Sequence, residues 1–318
     1  MMWFNLAQAQ SFMPTEGTTI ATQVDNLYAF LLLASFVSCV ILIGGMIFFV
    51  WKYRRKTSND KTAYITHNTF LEFLWSFIPL VIFLGVFGWG WYIYHQMRAM
   101  PKDALEVHVF GKQWAWEFEY KSGVKTGNTL VVPVNKDVKL IMTAKDVLHS
   151  FYIPSFRIKQ DVIPGRYTAL WFNANKLGEF HVFCAEFCGT QHSGMIATLK
   201  VVPQAEYDAW LEEESQVGTL PLAKRGEKIF SVKACASCHS VADASVKVGP
   251  ALWKKFGTTH EIEGGTDVTV DENYLRESIL NPNAKIVKGF PKGVMPAFQG
   301  QLSETELNAL IEYIKTLK

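Results

Sequence analysis

The first 26 residues contain no lysine or arginine and no apolar run. The segment therefore lacks both the basic n-region and the apolar h-region of a typical secretory signal. Its Ala-Gln-Ala-Gln at residues 7–10 is a weak match to a cleavage site. Net charge is also scarce, because 31 Lys and Arg against 29 Asp and Glu leave +2 at pH 7. That balance gives no argument for a nucleic-acid partner. Cysteines number only five, and four of them fall into two compact motifs, neither of which looks like a disulfide framework. Apolar residues are abundant: 49% of the 318 residues are hydrophobic and ten are tryptophan. The length suggests two or three domains.

Leu27 to Trp51 is almost continuously apolar, and a second run extends from about Phe70 to Tyr94. A bilayer span needs about 20 such residues, so both are expected to cross a membrane as a hairpin over 27–97. Lys52, Arg54, Arg55, Lys56 and Lys61 crowd the connection between them. The positive-inside rule places that loop in the cytoplasm, which puts residues 1–26 and everything after Tyr94 outside. Glu72 sits at the cytoplasmic start of the second span, where a carboxylate either snorkels to the interface or belongs to an ion path. Pro79 in mid-span suggests packing on a partner that covers the freed carbonyl, and Cys39 reads as an inert small hydrophobe.

The stretch GEFHVFCAEFCGTQHSGM, from Gly178 to Met195, puts two cysteines, a histidine and a methionine in one segment. These are soft and borderline ligands, suited to copper, zinc or iron. His149 lies upstream in Asp146-Val147-Leu148-His149-Ser150. A lone blue copper needs two histidines, one cysteine and a weak methionine, and this set has one thiolate too many. A structural zinc would take Cys2His2 and leave Met195 idle. Two copper ions sharing both thiolates would each gain a histidine, with Met195 and the Glu186 carbonyl as the two weak ligands. On spacing alone, zinc and a Cys184–Cys188 disulfide remain open.

After Pro101 come short β-type runs separated by Gly, Asn, Asp and Pro, as in an all-β sandwich. They predict a cupredoxin-like Greek-key domain over 103–202, with the ligand stretch on a loop between two late strands. Residues 203–221 read as a polar linker. Beyond it, Cys235-Ala236-Ser237-Cys238-His239 is the C-x-x-C-H signature of covalent haem c, with Cys235 and Cys238 attaching the haem and His239 beneath the iron. Met295, in Val294-Met295-Pro296, offers a sixth ligand that raises the potential. Ser303 and Glu306 form a capping box at the start of an amphipathic C-terminal helix. Phe230 and Tyr313 are expected to meet, and 222–318 reads as an all-α class I cytochrome c domain. Residues 257–270 look like an inserted hairpin without assigned function. His67, His95, His108, His181 and His260 lack ligand spacing.

The segment Gly178–Met195 resembles the binuclear CuA site of cytochrome c oxidase subunit II. With the two spans and the fused cytochrome, the order of parts resembles a caa3-type subunit II, a multidomain protein of the bacterial inner membrane. The resemblance implies that His149, Cys184, Glu186, Cys188, His192 and Met195 hold CuA. It implies that the Glu186 side chain also holds magnesium at the interface with subunit I. Gly111 to Tyr120 resembles the tryptophan-rich strand, where Trp114 would be the point at which electrons enter and Trp116 would pack. Alternation puts both tryptophans on one strand face, and Ala115 stands where many members have tyrosine. Glu72 would lie at the mouth of a proton channel, Asp161 and Arg166 would face subunit I, and the Pro250 carbonyl would receive the His239 proton.

The function implied is delivery of electrons from soluble cytochrome c or another respiratory donor to haem c, from there through the region of Trp114 to CuA on the periplasmic side, and on to subunit I. There, in a complex that includes subunit III, oxygen becomes water and protons are pumped. A quinol oxidase subunit would not need the copper ligands or C-x-x-C-H, and a nitrous oxide reductase would carry a further long domain. A membrane-tethered carrier serving another terminal reductase is the alternative.

Overall fold

The computed structural model describes residues 13–61, 64 and 66–317. The expectation of an extracytoplasmic segment over 1–26 falls partly on residues 1–12, which lie outside the described residues together with the Ala-Gln-Ala-Gln.

Two bodies are distinguished, and the first comprises residues up to 100 with the short turn at 155–157. Helix α1 spans Thr19–Tyr53 and α2 spans Thr69–Arg98. The α1 helix starts ahead of the apolar run because Thr18 caps it, accepting from the Ala21 N–H at 3.0 Å. At the other helix, Asn68 accepts from Leu71 N–H and Glu72 accepts from Asn68 N–H. Both bonds satisfy backbone donors that a helix start leaves open. The two helices touch through Phe30 and Trp89, with ring centroids 5.9 Å apart. Most of their apolar side chains stay uncovered, Phe36 at 67% and Leu42 at 71% exposed. Surfaces of this length and composition suit a bilayer.

The second body holds the β-domain and the C-terminal domain. Strands β1 (Leu105–Lys112), β2 (Ala115–Tyr120), β3 (Lys125–Gly127), β4 (Thr129–Pro133), β5 (Asp137–Ala144) and β6 (His149–Ile153) come first. They are followed by β7 (Ile158–Val162), β8 (Thr168–Asn173), β9 (Gly178–Cys184) and β10 (Ile196–Val202). One sheet runs β3-β2-β1-β5-β8 and the other β4-β10-β9-β6-β7. Pairs β1–β5 and β4–β10 are parallel and the rest antiparallel, so the chain crosses between sheets as a cupredoxin-like sandwich requires. Period-two burial drives it: Val138, Leu140, Met142 and Ala144 of β5 point inward, packed with Val107 and Val109 of β1.

The expected polar linker is largely helical. Helix α3 (Gln204–Ser215) turns Glu212 and Glu213 outward and buries Tyr207. Trp210 packs edge-on against Tyr120 of β2 at 5.2 Å. The C-terminal domain is built on α4 (Leu222–Val232), α5 (Glu272–Leu280) and α6 (Glu304–Thr316). Gly226 of α4 lies so close to α6 that a Cβ there would stand 1.9 Å from the Ala309 carbonyl oxygen. Phe230 and Tyr313 meet at that crossing, 5.4 Å apart. The Ser303–Glu306 capping box forms, and Leu307, Ile311 and Ile314 join Val270, Tyr274 and Leu275 in the core. The 257–270 segment does contain a two-stranded hairpin, β11 (Thr259–His260) and β12 (Val268–Thr269).

Candidate metal centre and haem site

Strands β6 and β9 are antiparallel neighbours, with Phe151 opposite Cys184. That register sets His149, at the start of β6, beside the thiol that ends β9. The chain then makes a loop through Cys188, turns tightly at His192–Gly194 and enters β10 after Met195. Six groups converge as a result. Cys184 Sγ lies 3.7 Å from Cys188 Sγ, far beyond the ~2.05 Å of a disulfide. His149 Nδ1 is 3.8 Å from Cys184 Sγ, and His192 Nδ1 is 3.6 Å from Cys188 Sγ. Met195 Sδ stands 3.8 Å from Cys188 Sγ, and the Glu186 carbonyl oxygen 3.2 Å from Cys184 Sγ. Each sulfur thus has one imidazole and one weak donor beside it.

This arrangement tests which metal the donors fit. A tetrahedral zinc would use two thiolates and two imidazoles and have no work for the thioether, yet Met195 is 1% exposed and turned into the cluster. Two thiolates, two imidazoles, a thioether and a carbonyl fit a copper pair, with all six donors used. Charge agrees. Burial raises both thiols, but hydrogen bonds from His149 and the local backbone bring Cys184 down to about 6. Burial and the neighbouring Cys184 charge push Cys188 up to about 12. Two thiolates this close ionise together only beside a cation, which is what a metal supplies.

His149 is fully buried, and its Nε2 bonds Asp146 Oδ1 at 2.8 Å, which aims Nδ1 at the thiol. Asp146 also accepts from the Gln113 and Val147 N–H groups. No role follows for Asp146 from the ligand motif itself; the Asp-x-x-His spacing is the signal in the sequence. A carboxylate that orients a ligating imidazole is worth about 10–100-fold in metal affinity. Asp146→Asn is therefore expected to weaken copper retention by about that factor in chelator competition, and unaltered retention would discard the orienting role.

The two tryptophans do not share a strand face, because a turn at 113–114 interrupts the run before β2 begins at Ala115. Trp114 is half-buried and its indole N–H donates to the Cys188 carbonyl at 3.2 Å. Gln113 Nε2 donates to the same oxygen at 2.7 Å. Trp116 is fully buried, edge-on to His149 at 5.9 Å and to Phe151 at 5.1 Å. Asp161 accepts from Ser150 Oγ, next to His149, and Arg166 is exposed.

In the C-terminal domain, Cys235 and Cys238 are free and their loop is a short 3-10 turn in which His239 N–H donates to the Cys235 carbonyl. His239 Nδ1 lies 2.8 Å from the Pro250 carbonyl oxygen. That bond leaves Nε2 as the free donor, and burial holds the imidazole below the usual histidine range, in the neutral ligating form. A Cβ at Gly249 would stand 2.7 Å from His239 Cε1, so the ring is held between its own turn and this backbone. The donor set fits a covalently attached haem. Met295 lies half-buried in the loop before α6, anchored by Phe298 N–H to the Ile279 carbonyl and Gly293 N–H to Asn283 Oδ1. His108 pairs with half-buried Glu106 at 3.6 Å, and His260 lies edge-on against Tyr274. Among the described residues, neither belongs to a metal cluster.

Comparisons with known proteins agree with this geometry. The family "Cytochrome C oxidase subunit II, transmembrane domain" matches residues 6–88, "Cytochrome C oxidase subunit II, periplasmic domain" residues 123–202, and "Cytochrome c" residues 223–318. The chain is 33% identical to cytochrome c oxidase subunit 2 of Alkalihalophilus pseudofirmus, over 92% of this chain and 86% of that one. It is 31% identical to the corresponding subunit of Bacillus sp. (strain PS3), over 83% and 79% of the two chains. The solved periplasmic domain of subunit II of cytochrome oxidase of Bradyrhizobium japonicum is 35% identical, covering 37% of this chain and 97% of that one, with a TM-score of 0.35. Membrane anchor, CuA-type sandwich and fused haem domain follow one another in a single sequence, and the chain belongs to the cytochrome c oxidase subunit II family in its caa3-like form.

Proposed function

We propose that this subunit takes electrons from soluble cytochrome c or another respiratory donor onto its own haem c and hands them, by way of the sandwich, to subunit I. The pair of thiols 3.7 Å apart, flanked by one imidazole each, carries the reading. When bound, the copper pair supplies one-electron chemistry shared over two nuclei. The residues do the rest. His149 and Cys184 on strand ends and the Glu186 carbonyl, Cys188, His192 and Met195 on the short connection to β10 would hold the copper pair with little room to rearrange. Cys235 and Cys238 would tether the haem, and His239 and Met295 would supply the ligands to its iron. The tether keeps the haem at an effective concentration near the millimolar range, so a diffusing partner need not bind the sandwich tightly.

Trp114 is where electrons enter from donors that meet the sandwich directly; its hydrogen bond to the Cys188 carbonyl supports that role. The Glu186 side chain is exposed, and Phe187 beside it is 75% exposed on the ligand loop. An apolar side chain so placed suits a protein face, here that of subunit I, where Glu186 would also bind magnesium. Asp161 and Arg166 belong to the same face. Glu72 lies at the mouth of a proton channel leading into subunit I, and its bond to Asn68 N–H fixes it at the helix start. Subunit III completes the complex in the bacterial inner membrane, with both cofactor domains on the periplasmic side.

The test is copper content together with electron paramagnetic resonance on the detergent-purified chain, matured with copper and haem. A copper pair with one unpaired electron spread over both nuclei is expected. A single copper with an ordinary four-line signal, or zinc, would overturn the reading.

A further inference from the structure

The sandwich and the haem domain touch at a point that no ligand residue marks. Gly127 ends β3, paired with Glu117 of β2. A Cβ on it would stand 2.1 Å from the Ser231 carbonyl oxygen and 2.7 Å from Val232 Cα, both at the end of α4. These are backbone atoms of the segment leading into Cys235, so a side chain at 127 cannot coexist with the contact. Nearby, Lys112 Nζ reaches the Lys233 carbonyl at 3.4 Å. Lys112 also pairs with Glu117, which Lys145 contacts at 3.2 Å. Burial alone would raise the Glu117 carboxyl; Lys145, Lys233 and Lys112 together hold it below its ordinary range. The carboxylate thus stays charged under a contact to which both domains contribute lysines.

From this contact an unbroken line of groups leads to the metal ligands. Asn128, in the left-handed conformation at φ +53°, directs Nδ2 to Ser237 Oγ at 3.4 Å. Ser237 lies between the two haem-attaching cysteines. The same side chain accepts from Trp116 N–H at 2.8 Å, and Asn128 N–H donates to the Trp116 carbonyl at 2.8 Å. Trp116 in turn stands edge-on to His149. Gly111 makes that approach possible: a Cβ there would be 3.0 Å from the His149 ring and 3.2 Å from the Trp116 ring. Trp114 lies outside this line, bonded to the Cys188 carbonyl instead.

We propose that the haem domain docks on the sandwich through Gly127 and that electrons from the tethered haem reach the copper ligands through Ser237, Asn128, Trp116 and His149. Trp116, expected from its position only to pack, becomes the conduit for the tethered donor, and Trp114 serves donors that arrive from solution. Each transfer oxidises ferrous haem by one electron and reduces the copper pair by one, with no proton moved. The inference rests on the copper and haem reading above.

Two variants of the full chain in its oxidase complex test it. Gly127→Leu has no clash within the sandwich at its three nearest contacts, which all belong to residues 231 and 232. It is expected to undock the haem domain, raising hydrogen exchange at residues 125–128 and 231–237. Flash-initiated transfer from haem c to copper should slow about tenfold and become sensitive to ionic strength, since only the tether then holds the donor. Asn128→Gly keeps the left-handed backbone and removes only the bridging side chain. Exchange protection at residues 231–237 and both midpoint potentials should be unaltered while transfer slows severalfold, with only the Trp116 N–H losing its acceptor. Unaltered exchange in Gly127→Leu, or unaltered transfer in either variant, overturns the proposal. Copper resonance and haem spectra are recorded on the same samples, and loss of either signal in the parent chain would instead condemn the cofactor reading.

Discussion

Cys188→Ser is expected to abolish the copper pair and cut electron delivery to subunit I at least about a thousandfold, ~4 kcal/mol in barrier terms. Cys188 Sγ lies within 3.8 Å of Cys184 Sγ, His192 Nδ1 and Met195 Sδ. Serine has nearly the same shape but a hydroxyl that stays protonated and is a hard donor, unsuited to copper. With one bridge gone, the remaining thiolate of Cys184 and His149 can keep at most one ion, and Met195 and His192 lose the sulfur that gathered them. Copper analysis should find no pair, and the resonance signal should revert to an ordinary four-line pattern or vanish. The sandwich itself should persist, because its core rests on Trp116, Phe118, Leu140 and Phe151 rather than on the metal. A variant that retained a copper pair with a shared electron would show that Cys188 does not bridge.

How far the site was legible from sequence depends on how local each interaction is. Cys184, Glu186, Cys188, His192 and Met195 lie in one short segment from the end of β9 to the start of β10, so the sequence shows them together, and the structure places their donor atoms side by side. His149 is remote in sequence; it joins them only because β6 and β9 are neighbours in the sheet, which periodicity does not state. The C-x-x-C-H motif and the capping box were legible for the same local reason. The helix α3 was not, since Glu212 to Glu214 dominate its composition while its docking rests on Tyr207 and Trp210 meeting Tyr120 across the chain. Alternation misplaced Trp114, because a turn at 113–114 can interrupt a run whose residue types still favour a strand. The Gly127 contact was invisible for a further reason. A glycine required by a neighbour's backbone looks, in sequence, like any glycine beside a turn.

Met295→Lys is expected to leave the haem attached, since Cys235 and Cys238 are untouched, but to remove the methionine-to-iron absorption band. Axial ligand identity sets haem potentials over a range of about 0.8 V, and methionine opposite histidine lies toward its upper part. Replacing the thioether by an amine should lower the potential by about 0.2 V, and each ~59 mV is tenfold for one electron. The sign matters. A lower potential favours the ferric haem, so reduction by a soluble donor becomes harder by about three orders of magnitude, while onward transfer to copper becomes more favourable. Reduction of haem c by soluble cytochrome c should therefore fail, with the copper resonance unaltered. The loop that carries Met295 is held by Phe298 on Ile279 and by Gly293 on Asn283, so the exchange need not disturb the domain. A band that survived the substitution would mean that another residue binds the iron and that this loop only covers it.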